Sequence, residues 1–232
     1  ILDWGTQLAL NNSNLIDLTR DKWSMHQELL SINDPSRIQS YLSGDYEALV
    51  SSLGTPFILK PRRSYASKGI VRIKNEKDFE VYKDRLGEEI MVQPIIGSDD
   101  EEYTVAVFGD GVGGVSASII LKRRLAADGS TAKALVCSDD SLMNVVSRLC
   151  SHFRPLGPTN LQFRRDNKDW KLLEINPRVS STTSMRRAFG YDEAAMSVNY
   201  FLNGTLPKQP KIRPGYAVRF IEDYIIYDRD NF

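Results

Sequence analysis

The chain holds 232 residues with 30 Lys plus Arg against 30 Asp plus Glu, so its net charge is zero and it lacks the basic excess of a duplex-binding protein. Its two cysteines, Cys137 and Cys150, form no CxxC pair, which argues against zinc and a disulfide framework and makes a reduced cytoplasmic location the expectation. No apolar run approaches the roughly 20 residues needed to span a bilayer and nothing reads as a signal peptide, so neither a membrane nor nucleic acid is expected as a partner.

Residues 1–20 read as a connector, because Asn11, Asn12, Ser13 and Asn14 are turn chemistry and Leu15, Ile16 and Leu18 make only a short apolar run. The opening at Ile1, in mid-pattern, reads as the continuation of a longer protein. A helix is predicted from Asp21, with Trp23, Met25, Leu29 and Leu30 as its apolar positions and Asp34-Pro35 closing it. Lys22, in its first turn, reads by itself as a solvated charge, and His26 and His152 as ordinary surface or helix residues. Tyr46 to Leu53 is a second helix, ended by Gly54. Pro56 to Pro61 is then a buried strand that delivers Lys60 to its end.

The stretch RRSYASKGI, from Arg62 to Ile70, is a small-residue loop before a returning strand at Ile70 to Ile73. Such a loop can fold over phosphates while Arg62, Arg63 and Lys68 neutralise charge, and it fits a basic turn in solvent equally well. A helix carrying Phe79, Tyr82 and Leu86 follows, then a strand at Ile90 to Gln93 that Pro94 interrupts. Ile95-Ile96-Gly97 forms a joint before the acidic run Ser98 to Glu102. Strands at Tyr103–Phe108, Val115–Lys122 and Ala132–Cys137 make an antiparallel meander. Lys122-Arg123-Arg124 puts three cations at one sheet edge, where they could hold an anionic substrate or simply face water. Ser141 to Phe153 is an amphipathic helix with Leu142, Val145, Val146, Leu149 and Phe153 on one face.

Asn160 to Arg178 reads as a hairpin with its turn at Asp166, Asn167 and Lys168. Leu161 and Phe163 point one way and Gln162 the other; Leu173 and Ile175 are apolar, and Glu174 and Asn176 share the opposite face. Hard oxygen ligands without sulfur or imidazole suit magnesium, and Arg178, held just past Pro177, suits phosphate oxygens. A polar face turned to water is the other reading of the same alternation. Val179 to Ser184 is a hydroxyl-rich loop able to cap a helix that runs from Met185 to Asn203-Gly204. The tail beyond Leu206 reads as an edge strand or docking arm, and its aromatic end, Tyr216 to Phe232, as a candidate contact surface for a homodimer.

NLQF, followed by LEINPRVSSTTS and AFG, resembles the ATP-grasp superfamily, and is most similar to a synthetase unit of the carbamoyl-phosphate synthetase large subunit. Weaker matches lie at Asp21-Lys22, Ile58 to Pro61, the VQPIIG segment and Glu102 to Val105. The resemblance implies an α+β fold of two lobes, with antiparallel sheets and flanking helices enclosing a nucleotide cleft. The ATP-grasp domain would span residues 21–206, with a small lobe at about 54–92, a large lobe at about 93–206 and a tail at 207–232. It implies ATP and Mg2+ as cofactors, with Lys22 and Lys60 on the phosphates and Lys68 of the glycine-poor loop lending charge. Gln93, Pro94 and Ile95 would border adenine, and Glu102 would hold the ribose hydroxyls, with Glu101 as the alternative. Gln162, Glu174 and Asn176 would be the metal ligands. Arg178 would steady the transferred phosphoryl group, with Arg124 and Lys122 facing the carboxylate or acyl phosphate. The implied activity is ATP-dependent ligation of a small-molecule carboxylate to an amine; the alternatives are a catalytically silent ATP-binding module that closes on a partner, or a carbamate or carboxylate kinase.

Overall fold

The computed structural model describes residues 8–64, 68–220, 222 and 225. Helices α1 (Ser13–Thr19), α2 (Lys22–Ser31) and α3 (Tyr46–Leu53) precede a three-stranded antiparallel sheet of order β2-β1-β3. Its strands are β1 (Phe57–Pro61), β2 (Val71–Ile73) and β3 (Ile90–Pro94), with the short helix α4 (Glu76–Glu80) between β2 and β3. A six-stranded antiparallel sheet follows, of order β8-β7-β4-β5-β6-β9. It contains β4 (Glu102–Asp110), β5 (Val115–Leu125), β6 (Thr131–Cys137), β7 (Leu156–Asp166), β8 (Asp169–Asn176) and β9 (Tyr216–Val218). Three further helices, α5 (Asp140–Phe153), α6 (Thr183–Ala188) and α7 (Glu193–Asn203), complete an α+β architecture. The tail supplies an edge strand, as its sequence suggests; residues 221, 223–224 and 226–232 of the aromatic end lie outside the described residues.

Period-two alternation divides the large sheet into two faces. Tyr103, Val105 and Val107 of β4, with Leu161 and Phe163 of β7, pack against Leu15, Met25 and Leu29 of α1 and α2 and the apolar stripe of α5. On the other face, Ala106 and Phe108, with Ala117, Ile119 and Leu121 of β5, lie among Met185, Phe189 and Tyr191. Glu102, Thr104, Asn160 and Gln162 continue that second face beyond the helices, where it turns polar. The small sheet has its own core, in which Phe57, Leu59, Ile73 and Val92 meet Leu49 and Phe79.

Several boundaries differ from expectation. Asn12 does not make a connector turn but caps α1, its side chain accepting from the Asn14 N–H, so the helix starts inside the polar cluster. Leu30 on α2 is exposed, whereas His26 is buried, with Nδ1 3.0 Å from the Ile38 carbonyl. The small-sheet core takes in α3 and Tyr41, so that lobe draws on residues before 54, and α1, α2 and β9 pack with the large sheet. Thr182 stands at the N-cap of α6 without a side-chain cap bond, its hydroxyl lying 2.6 Å from Ser180 Oγ instead. The single helix predicted from Met185 is two, separated at Gly190, whose positive φ and close approach to the Lys211 carbonyl leave no room for a Cβ.

Candidate active site

The cleft face of the small sheet turns toward the polar half of the large sheet, and the space between encloses about 1210 Å³. Ile58 and Lys60 on β1 and Gln93 on β3 share the small-sheet wall by period two. Glu102 on β4, Gln162 on β7, and Glu174 and Asn176 on β8 form the opposite wall. Pro94, Ile95 and Gly97 join the two. A Cβ on Gly97 would lie 2.2 Å from the Arg165 carbonyl, so the joint passes against the large sheet where only glycine fits.

Across this cleft the predicted residues come together with one exception. Lys22, Lys60, Lys68, Gln93, Pro94, Ile95, Glu102, Arg124, Gln162, Glu174, Asn176 and Arg178 all line it. Lys122 does not: on β5 it is one residue out of phase with the cleft-facing Arg123, so its Nζ sits 2.6 Å from Glu101 and 5.5 Å above the Tyr103 ring. Glu101 is drawn to that same outer face, and among the two candidate acidic residues Glu102 alone lines the cleft. Nor is the cation triplet a free anion site. Arg124 is paired with Asp100, and Arg123 with Glu102 at 2.6 Å.

Buried Glu102 takes a second guanidinium from Arg164, at 2.9 Å, and Arg164 also reaches Asp99 at 2.9 Å. The acidic run is thus fastened to the sheet residue by residue, and it holds the joint against β5 and β7. Lys22 donates to the Ser64 carbonyl and hydroxyl at 2.9 and 3.1 Å. Burial lowers the pKa of Lys22, with Glu174 and Asp21 opposing. Burial lowers Lys60 to about 8; Glu174 and Glu102 oppose the shift, and the positive charges of Lys22 and Arg164 add to it. Two desolvated ammonium groups beside one another, facing a carboxylate, form a site made for further negative charge.

Gln162 and Glu174 lie opposite each other in the β7–β8 register, and Asn160 lies opposite Asn176. The register slips just past Gln162, so Leu172 and Ile175 enter the core while Leu173 sits on the cleft side with Glu174. Leu173 therefore does not share the core face of Ile175 as strict alternation predicts, because a bulge interrupts the period. Asn176 Nδ2 donates to Glu174 at 2.9 Å, and Arg178 donates to Asn176 Oδ1 at 3.3 Å. Gln162 Oε1 accepts from Arg123. Among the described residues no group of three His, Cys, Asp or Glu gathers as a self-contained metal cage. One carboxylate among amide oxygens instead suits Mg2+ sharing its shell with phosphates and water, so the donor set fits that ion.

Arg164 and Asn160, given no role from sequence, also line the cleft, as does Arg123, which the sequence singles out only within its cation triplet. Period two counted outward from Gln162 marks Asn160 and Arg164; for Arg123 the register with Glu102 carries the signal.

The family description "ATP-grasp in the biosynthetic pathway with Ter operon" fits residues 87–224, more than half of the chain. The chain belongs to this ATP-grasp family. Over 219 residues this ATP-grasp chain is 22% identical to the carbamoyl phosphate synthase large chain of Methanosarcina mazei, covering 88% of itself and 20% of that protein. A D-alanine–D-alanine ligase of Ralstonia nicotianae is 28% identical over 98 residues, 41% of this chain and 28% of the ligase. The chain therefore spans less than a third of the length of these two relatives. Among solved structures, the biotin carboxylase domain of Hydrogenobacter thermophilus 2-oxoglutarate carboxylase, in complex with magnesium ADP and bicarbonate, superposes with a TM-score of 0.71 at 15% identity. That match covers 93% of this chain and 52% of the other and establishes the ATP-grasp fold.

Proposed function

We propose that this ATP-grasp chain is the nucleotide-binding part of an ATP- and Mg2+-dependent ligase that joins a small carboxylate to an amine through an acyl phosphate. The observation that carries the reading is the placement of Glu174, Asn176 and Gln162 on one cleft wall opposite Lys60, with Lys22 and Arg178 also lining the cleft. The magnesium ADP held by the Hydrogenobacter neighbour supports the same cofactor pair here.

In this reading Lys22 and Lys60 hold the phosphates, Gln93, Pro94 and Ile95 border the base, and Glu102 meets the ribose. Gln162, Glu174 and Asn176 would hold Mg2+, which when bound neutralises phosphate charge. Arg178, at the far end of β8 from the joint, faces the phosphoryl group in transit, with Arg124 toward the carboxylate side; Lys122, on the outer face, takes no part. A carboxylate oxygen of the substrate attacks the γ-phosphorus, the bond to the β–γ bridging oxygen breaks, and ADP leaves. The amine nitrogen then attacks the acyl carbon, loses a proton and expels phosphate. Phosphoryl transfer of this kind depends on positioning and charge neutralisation, which lysines and arginines supply without a histidine or a nucleophilic side chain.

The test is phosphate release from ATP and Mg2+ across a matrix of amino acids, short peptides and sugar-linked carboxylates crossed with amines. Release that requires both one carboxylate and one amine is expected. ATP binding with no stimulated release across the matrix would instead favour the silent module.

A further inference from the structure

The largest fully buried side chain among the described residues is a charged one, Arg186 on α6, lying beneath the cleft floor. Its Nη1 donates to both carboxylate oxygens of Glu193, at 3.1 and 3.2 Å, and Glu193 is itself buried. Its Nη2 donates to Thr104 Oγ1 at 3.1 Å and to Asn160 Oδ1. The Thr104 hydroxyl in turn gives its proton to the same Asn160 oxygen.

This arrangement fixes the Asn160 amide without ambiguity. Guanidinium can only donate, so the atom it meets on Asn160 must be the carbonyl oxygen, and the NH2 group must point the other way. Asn160 is 2% exposed yet lines the cleft. Among the described residues no acceptor takes its Nδ2, and that atom is not sealed from solvent. A donor pair is therefore presented to the cleft from a side chain locked on its other side.

Its position says what it meets. Along β7, Arg164 stands opposite Glu102 nearest the joint, Gln162 stands opposite Glu174, and Asn160 stands opposite Asn176, one step farther toward Arg178. On the nucleotide orientation of the proposed function, on which this inference rests, that step leads from the ribose toward the transferred phosphoryl group.

We propose that Asn160 is a further catalytic group, donating its side-chain NH2 to an anionic oxygen of the γ-phosphoryl group, and that Arg186 is the positioning residue that aims it. Charge-assisted donors of this kind discriminate between an anion present and absent. Asn160→Asp keeps an acceptor for Arg186 and replaces the donor with an acceptor; Asn160→Ala removes the donor without adding charge. Calorimetric titration with magnesium ATP and magnesium ADP is the measurement, and thermal unfolding reports folding. Both variants are expected to lose about tenfold or more in affinity for ATP while ADP stays within about twofold. Arg186→Lys, which keeps the buried charge but not the fork, is expected to shift the ATP-to-ADP ratio in the same direction. A ratio unchanged in both Asn160 variants would overturn the assignment, and a ratio unchanged in Arg186→Lys, with only a lowered melting midpoint, would overturn the positioning role. Wild-type protein that binds neither nucleotide would defeat the ligase reading itself, and this inference with it.

Discussion

Gln162 on β7 and Glu174 on β8 face each other across the hairpin, and one residue beyond them the register slips, leaving both Leu173 and Glu174 on the cleft side. Glu174 is also the carboxylate that supports the charges of both Lys22 and Lys60. Replacing it by alanine is expected to lower Mg2+-dependent ADP formation by about a hundredfold or more, since it removes the one carboxylate of the proposed metal set. Circular dichroism should show the fold retained. Unchanged turnover would contradict the metal assignment.

If Lys60 holds the phosphates as proposed, nucleotide binding is expected to be coupled to proton uptake. The Lys60 pKa is about 8 in the fold against an ordinary value of 10.5. Between those values the unfolded chain binds more protons than the fold, so this group's contribution to stability rises with pH across the window; below about 8 its burial penalty is fully present. Bound phosphates favour the ammonium form, so ATP binding just above pH 8 should take up protons. Titrations in buffers of different ionisation heat measure this directly. Lys60→Met should abolish most of the uptake, weaken ATP binding and raise the stability of the nucleotide-free protein at neutral pH.

Arg123 and Arg124 are neighbours in sequence with very different roles. Arg123 pairs with a carboxylate that is 3% exposed, whereas the Arg124–Asp100 pair lies mostly in solvent. Arg124→Ala should cost less than about 1 kcal/mol, and Arg123→Ala about 2–4 kcal/mol because Glu102 loses half of its charge compensation. Urea denaturation checks the order, and equal costs would contradict the burial argument.

The buried Arg186–Glu193 pair makes a similar claim about stability. Arg186→Met strands a carboxylate in the interior and is expected to cost about 3–5 kcal/mol. Paired replacement as Arg186→Met with Glu193→Leu should recover most of that loss, as thermal melting would show. A double variant as unstable as the single one would mean that the network's polar bonds, and not charge compensation, dominate.

Much of the site was legible because hairpins and meanders carry their register in a period of two. Gln162, Glu174 and Asn176 follow from alternation plus the turn at Asn167, whose positive φ an asparagine tolerates. Leu173 was misplaced because a bulge adds a residue that leaves no mark in composition. Lys122 was misplaced because three adjacent cations look alike until the phase of β5 is known, and that phase is set by pairing with Glu102 on another strand. The helix break at Gly190 and the burial of His26 and Arg186 depend on what packs against them, which local sequence does not encode.

In the proposed reaction this cleft passes a phosphoryl group from ATP to a carboxylate. The most direct test of that transfer is to supply candidate carboxylates labelled with heavy oxygen, together with ATP, Mg2+ and amines, and to analyse the released phosphate by mass spectrometry. An acyl phosphate predicts that one labelled oxygen moves from the carboxylate into phosphate with each ADP formed. Substrate-dependent ADP formation that leaves the phosphate unlabelled would contradict the account.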